Sequence, residues 1–159
     1  MHTKAGENYQ RLIASVTARP ATPTAVAHPC DNAALVGTVE AAKKGIITPI
    51  LVGPRHKITA AATAADIDIS AYQVVDAEHS HAAAETAVSL VREGKAKMLM
   101  EGSLSTAELL AAAVTRDSGL RTDRRLSHCF IMDVPNHPNV LITTDAGARQ
   151  RHKPRGCPD

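Results

Sequence analysis

Apolar and polar positions change period repeatedly along the chain. Glu7–Val16 places Tyr9, Leu12, Ile13 and Val16 at helical spacing, which predicts a short opening helix. Pro20 and Pro23 end it. Thr24–His28 reads as a first strand. Asp31 then stands ready to cap a helix over Asn32–Lys44, with Leu35, Val36 and Val39 on one stripe and Gly45 as its stop. Ile46–Val52 is a continuous apolar run bounded by Gly53-Pro54. It suits a buried strand, with Pro49 near the start where proline is tolerated. A helix over about Arg55–Ala65 and a strand over Tyr72–Val75 follow. Ser80–Glu93 is an amphipathic helix with Ala84, Ala87, Val88 and Val91 inward, closed by Gly94. Met98–Met100 is a fourth strand and Thr106–Thr115 the next helix. Cys129–Val134 and Val140–Thr144 read as two more strands. Their joint at Pro135–Asn139 is short enough for a hairpin, which predicts an antiparallel edge to the sheet.

Strand and helix thus alternate four times, which predicts an α/β fold with a mostly parallel sheet covered by helices. No GxGxxG follows the first strand and no GxxxxGK[ST] is present, so the usual dinucleotide and P-loop readings lose support.

Composition narrows this picture. The 159 residues suit one domain of ordinary size with a real core. With two Tyr, one Phe and no Trp, that core must be built from Ala, Val, Leu and Ile. The same scarcity argues against RNA-binding folds that stack bases on aromatic rings. A formal charge of +2 does not imply nucleic acid, and much of it sits in Arg149, Arg151, Lys153 and Arg155. Cys30, Cys129 and Cys157 are far apart and form no zinc motif or disulfide framework, which predicts a cytoplasmic setting. No run reaches membrane-spanning length, and the first residues lack the apolar core of a signal peptide.

Candidate chemistry gathers between Lys97 and Asp145. Gly102-Ser103-Leu104-Ser105-Thr106 follows a strand and opens a helix, a place where backbone N–H groups and the helix dipole can hold an anion. Ser105 or Thr106 can equally be an ordinary N-cap, with Glu108 helping. Arg121, Arg124 and Arg125 stand beside Ser127-His128, either as bidentate partners for phosphate or carboxylate or as a solvated charged loop. His128 is a candidate base or anion partner, or a structural histidine. His28-Pro29-Cys30-Asp31 falls at the ligand-facing end of the first strand. There Cys30 is either a nucleophile near a helix start or a small buried residue. His79 and His81 share an i,i+2 spacing that can bind metal on a strand, but no cysteine or carboxylate set completes it.

Four stretches carry a resemblance: Val26–Pro54, Val74–Ala96, Leu99–Leu110 and Gly119–Pro135. In combination the chain resembles the N-terminal half of the phosphate acetyltransferase/phosphate butyryltransferase family, above all the form fused to an enoyl-CoA hydratase. The resemblance implies a three-layer α/β/α fold of the isocitrate/isopropylmalate dehydrogenase-like kind, as the first of two domains. It implies acyl transfer between coenzyme A and inorganic phosphate, with acyl-CoA and phosphate as substrates, no covalent cofactor or metal, and usually a homodimer. The residues it brings forward are Ser127, His128 and Asp145 for catalysis, and Glu101, Gly102, Ser103, Thr106, Arg121 and Arg125 for substrate binding. Gly102 would allow close backbone approach, Ser103 and Thr106 would donate to phosphate, and the arginines would neutralise anion charge.

The pattern departs from the family in three places. Glu101 stands where relatives usually carry Lys, and an acidic side chain there would repel an anion. After Asp145-Ala146 comes Gly147-Ala148-Arg149 in place of the family continuation. A Ser-Arg-Ala-Asp type segment, to which much of the family's chemistry is assigned, does not occur. The organisation expected is therefore a flexible N-terminus over residues 1–8, the family domain over 9–146 and a divergent, disordered tail over 147–159. The expected activity is that of a truncated phosphate acyltransferase, weakly active or inactive. The alternative is a non-catalytic fragment that binds CoA, phosphate or a partner.

Overall fold

The computed structural model describes residues 6–122, 126–134 and 137–144. The expected tail over 147–159 lies outside them. The chain divides into two compact units, Val16–Thr122, and Met1–Ser15 together with Asp123–Asp159.

The larger unit is an α/β domain. Its four strands are β1 (Thr22–Ala27), β2 (Ile47–Gly53), β3 (Gln73–Asp76) and β4 (Met98–Glu101). They form one sheet in the order β3-β2-β1-β4, with every pair parallel. Between them run α2 (Asn32–Lys43), α3 (Arg55–Ala64) and α4 (Ser80–Arg92), and α5 (Thr106–Val114) follows β4. Asp31 accepts from the Ala34 N–H at 2.8 Å and caps α2 as its sequence predicts. Gly45 and Gly94 close α2 and α4 at positive φ. Pro49 lies inside β2, but β3 begins opposite Ile50, so the proline has a neighbouring strand on the β1 side only.

Strand alternation sorts the core onto two faces. Ala25, Ala27, Ile50 and Val52 pack with Ala83, Ala84, Ala87 and Leu90 of α4 and with Leu109 of α5. Val26 and Leu51 pack on the opposite face with Leu35 of α2 and with Ile58, Ala61 and Ala62 of α3. This makes three layers within the unit, filled largely by aliphatic side chains and alanine-rich helix faces, with Tyr72 packed against the second face. Leu51 is fully buried, so removing its side chain costs about 2–5 kcal/mol by lost burial and the cavity left behind.

The second unit contains β5 (Cys129–Met132) and β6 (Leu141–Thr144), paired antiparallel as the short joint predicts, but as a two-stranded sheet of their own and not as the edge of the parallel sheet. It also holds the first turns of α1 (Glu7–Thr17). Asn8 is buried there. Its amide donates to Asp133 Oδ1 at 3.0 Å and to the His137 carbonyl at 3.2 Å. Asp133 Oδ2 accepts from the Tyr9 N–H at 3.1 Å, a carboxylate at a helix N-terminus where the dipole favours it. The spacing of Tyr9, Leu12 and Ile13 marks this helix in the sequence but carries no sign of the Asp133 contact.

Glu108 ties the two helices on one face of the larger unit together. It completes a capping box with Ser105, so Ser105 and not Thr106 caps α5. Its Oε1 also accepts from Ser80 Oγ at 2.6 Å and meets His81 Nδ1 at 2.7 Å, both in the first turn of α4. The hydrogen bond from Ser80, then those from Ser105 and His81, pull the carboxyl from 4.5 down to about 2. A carboxyl depressed by folding stabilises fully above its unfolded value and loses that contribution as pH falls toward its folded value. Glu108→Gln should therefore lower the melting temperature at neutral pH. It should also flatten the fall in melting temperature between pH 4.5 and about 2, followed by circular dichroism. An unchanged acid slope would show that this carboxyl does not couple α4 to α5.

Candidate functional site

The strand order reverses between β1 and β4. From β1 the chain proceeds outward through β2 to β3, then returns to the other side of β1 to lay down β4. Ligands of open α/β sheets bind in the crevice at the carboxyl ends of such strands. Here the residues that follow those ends are His28-Pro29-Cys30 after β1 and Gly102-Ser103 after β4.

The two segments are locked backbone to backbone. Ala27 pairs with Glu101 at the end of the ladder. Beyond it the Gly102 N–H donates to the Ala27 carbonyl at 2.9 Å, and the Ser103 N–H to the His28 carbonyl at 2.8 Å. A Cβ on Gly102 would stand 2.4 Å from the Ala27 oxygen and 2.7 Å from the His28 carbonyl, where backbone cannot yield. The close approach expected of Gly102 is thus made to the chain's own first strand.

Ser103 completes the lock. Its hydroxyl donates to the His28 carbonyl at 2.7 Å and accepts from the Cys30 N–H at 3.0 Å. The proton expected to go to a phosphate is spent inside the protein. With the Cys30 N–H at 2.8 Å, three donors converge on the His28 carbonyl oxygen. His28 itself adopts φ 55°, the left-handed region in which histidine is uncommon but tolerated. Its N–H still reaches the Val52 carbonyl of β2 at 2.7 Å. Its Nδ1 lies 3.1 Å from the Ser103 carbonyl and 3.4 Å from Ser103 Oγ.

Cys30 is half-buried. Burial pushes its thiol up, outweighing the nearby Lys57 charge that draws it down, and Asp31 adds to the rise. This environment favours the thiol over the thiolate and speaks for packing rather than nucleophilic attack.

The remaining candidates are spread out. Glu101 and Thr106 are exposed, at the last residue of β4 and the first of α5. Arg121 is exposed near the end of the same unit. Ser127 and His128 are exposed in the other unit, where the His128 ring lies 4.1 Å from that of Phe130. Arg124, Arg125 and Asp145 lie outside the described residues. The structure therefore brings Gly102 and Ser103 together with His28 and Cys30. His79 caps α4, accepting from the Ala82 N–H at 3.1 Å, and His81 is engaged by Glu108. Among the described residues no three His, Cys, Asp or Glu side chains gather to hold a metal. His28 is the residue that the sequence pattern left without a role. The His-Pro step at a strand end marks its place, but nothing in the sequence marks its backbone conformation.

No protein-family model matches the chain. Curated relatives do. It is 51% identical over 138 residues to a phosphate acetyltransferase of Rhizobium meliloti, covering 87% of this chain and 44% of that protein. It is 43% identical over 148 residues to a phosphate acetyltransferase of Rickettsia prowazekii, covering 93% and 42%. It is 34% identical over 140 residues to a phosphate butyryltransferase of Clostridium beijerinckii, covering 88% and 46%. The chain thus spans less than half the length of these relatives. Among solved structures, a phosphotransacetylase from Streptococcus pyogenes matches with a TM-score of 0.69 at 13% identity, over 88% of this chain and 51% of that one. A branched-chain phosphotransacylase from Enterococcus faecalis matches with a TM-score of 0.61 at 21% identity, over 78% and 42%. Likeness at these identities bears on the fold alone.

The lock yields a direct test. Gly102→Ala should cost about 1–3 kcal/mol in urea denaturation, because the new methyl meets immovable backbone. Ser105→Ala, which touches only the helix cap, should cost about 1 kcal/mol. A Gly102→Ala loss no larger than that of Ser105→Ala would show that the β1 and β4 ends are not pressed together.

Proposed function

We propose that this chain, a member of the phosphate acetyltransferase/phosphate butyryltransferase family, supplies one wall of a site for acyl transfer between coenzyme A and phosphate. The supporting observation is 51% identity to a phosphate acetyltransferase over 87% of the chain. In the reaction, a phosphate oxygen attacks the thioester carbonyl of acyl-CoA. The C–S bond breaks, and acyl phosphate and CoA result. Such chemistry needs cations to hold two anionic substrates, donors for the developing oxyanion and a group to manage the thiol proton.

On this reading residues 9–146 are the first part of the family domain, of the dehydrogenase-like α/β/α kind. Arg121 and Arg125 hold anionic groups of the substrates, and Thr106 at the α5 start donates to phosphate. The catalytic roles fall to Ser127, His128 and Asp145. Gly102 and Ser103 act by fixing the crevice, since their donors are engaged within the protein. Glu101 weakens anion binding from the end of β4. No metal or covalent cofactor enters. A homodimer in the cytoplasm belongs to the same proposal, and no helix among the described residues is long and apolar enough to cross a membrane.

A second reading, a partner-binding fragment, is favoured by β5 and β6. Phe130 and Ile131 fall on opposite faces of this two-stranded pair and are 48% and 52% exposed, while Ile142 opposite Ile131 is 64% exposed. A two-stranded sheet is marginal alone in water, and exposed apolar faces call for cover. The cover that fits is the part of the family fold that the chain does not span.

Phosphate or CoA should raise the melting temperature of the purified chain, and Arg121→Ala should reduce that rise. Glu101→Lys should enlarge it at low salt. No rise with either ligand would count against the acyl-transfer reading. In the second reading, the remaining part of the Rhizobium meliloti relative should co-elute with the chain on size-exclusion chromatography. Ile142→Glu should release it, and no co-elution would remove this reading.

A further inference from the structure

We infer that His28 is a ligand-contacting residue at the carboxyl ends of β1 and β4, where its Nε2 accepts a hydrogen bond from a protonated group on the bound molecule. The ligand class is one that brings an S–H or O–H donor, a thiol or a hydrogen phosphate, to the carboxyl end of the sheet. The inference rests on the acyl-transfer reading and deepens it.

Three observations converge. First, His28 sits at the point where the strand order reverses, the place where open α/β sheets receive ligands. Second, its backbone is held at φ 55° by bonds from every side: its N–H to β2, and three donors on its carbonyl from Ser103 and Cys30. An uncommon conformation kept in place by so many contacts is a feature that surrounding structure over-determines. Third, the imidazole is oriented. Nδ1 lies 3.1 Å from the Ser103 carbonyl oxygen, which can only accept. In the neutral ring the proton is therefore on Nδ1, and Nε2 carries the lone pair. Nε2 has no hydrogen-bond partner among the described residues. A histidine whose other nitrogen is fixed by a carbonyl is set up as an acceptor of defined direction.

His28→Asn separates the two roles of the ring. Asparagine also tolerates the left-handed region, and its amide can donate to the Ser103 carbonyl in place of Nδ1, but it has nothing at the Nε2 position. The variant should fold with a melting temperature close to that of the unmodified chain. Titrations of the 159-residue chain with inorganic phosphate, CoA and desulfo-CoA, followed by calorimetry, read the contact. His28→Asn should weaken binding about five- to tenfold, the loss of one hydrogen bond. If the thiol is the donor, CoA weakens and phosphate does not, and desulfo-CoA binds both proteins alike. If hydrogen phosphate is the donor, phosphate weakens.

Equal affinities of the two proteins for all three probes would overturn the role of His28 while leaving the acyl-transfer reading standing. Absence of binding by the unmodified chain would overturn both. Should the variant not fold, the imidazole 15N shifts of the unmodified chain decide. A ligand-induced change at His28 Nε2 with Nδ1 still protonated supports the contact, and an unchanged Nε2 refutes it.

Discussion

Where β1 and β4 end, two stretches of backbone come so close that only a glycine at position 102 fits between them. Much else in the larger unit follows from that contact. It extends the parallel register of Ala27 and Glu101 past the end of the sheet and into the loops. Loops of this kind usually diverge, because nothing pairs their backbone groups. Here Gly102 and Ser103 continue the ladder for two residues. The carbonyl of His28 becomes the hub on which the turn after β1 and the turn after β4 are fixed. Strand ends joined this way fix His28, Cys30 and Ser103 relative to one another, and such positioning is what a binding site needs.

The helices are positioned by a second, electrostatic device of the same economy. Alanine-rich faces on α4 let that helix lie close to Ala25 and Ala27, but small side chains bury little area each. Glu108 compensates by joining the first turn of α4 to the cap of α5 through Ser80, His81 and Ser105. The start of α5 is thereby fixed directly behind the Gly102-Ser103 turn. Charge at the helix starts and close backbone contact at the strand ends therefore act on one short stretch, Glu101 to Glu108.

Most of the fold was legible because it rests on local signals. The Asp31 cap, the glycine stops at 45 and 94, the apolar run of β2 and the short hairpin joint each declare themselves within a few residues. The Ser105–Glu108 box was legible for the same reason, apart from the choice between Ser105 and Thr106. The site was less legible, because its contacts join residues about 75 positions apart. The sequence marks Ser103 as a hydroxyl in a turn before a helix, which is equally the signature of an anion donor. Only the pairing of β1 with β4 brings His28 within reach and spends that hydroxyl on it. The left-handed backbone at His28 likewise comes from tertiary hydrogen bonds rather than from any local preference. Asp133 is a parallel case, since its partners Asn8 and Tyr9 lie 125 and 124 residues away.

The division of labour in the crevice follows from which groups remain available. Ser103 has committed its proton, and the Cys30 thiol is pushed up by burial. The charged group at the end of β4 is an acid, Glu101. Such a lining is poorly suited to neutralising a polyanion, because the Lys57 charge near Cys30 is accompanied by the acids Asp31 and Glu101. It is better suited to meeting the proton-bearing end of a ligand, where an acceptor such as His28 Nε2 is enough. The anionic parts must then be held by groups that carry permanent charge, and arginine is the side chain that does so in any surroundings. Arg121, exposed toward the end of the same unit, has that character. Binding in this arrangement would be read in two parts. Salt weakens the arginine contribution through screening, while the short hydrogen bond in the crevice is far less sensitive to it.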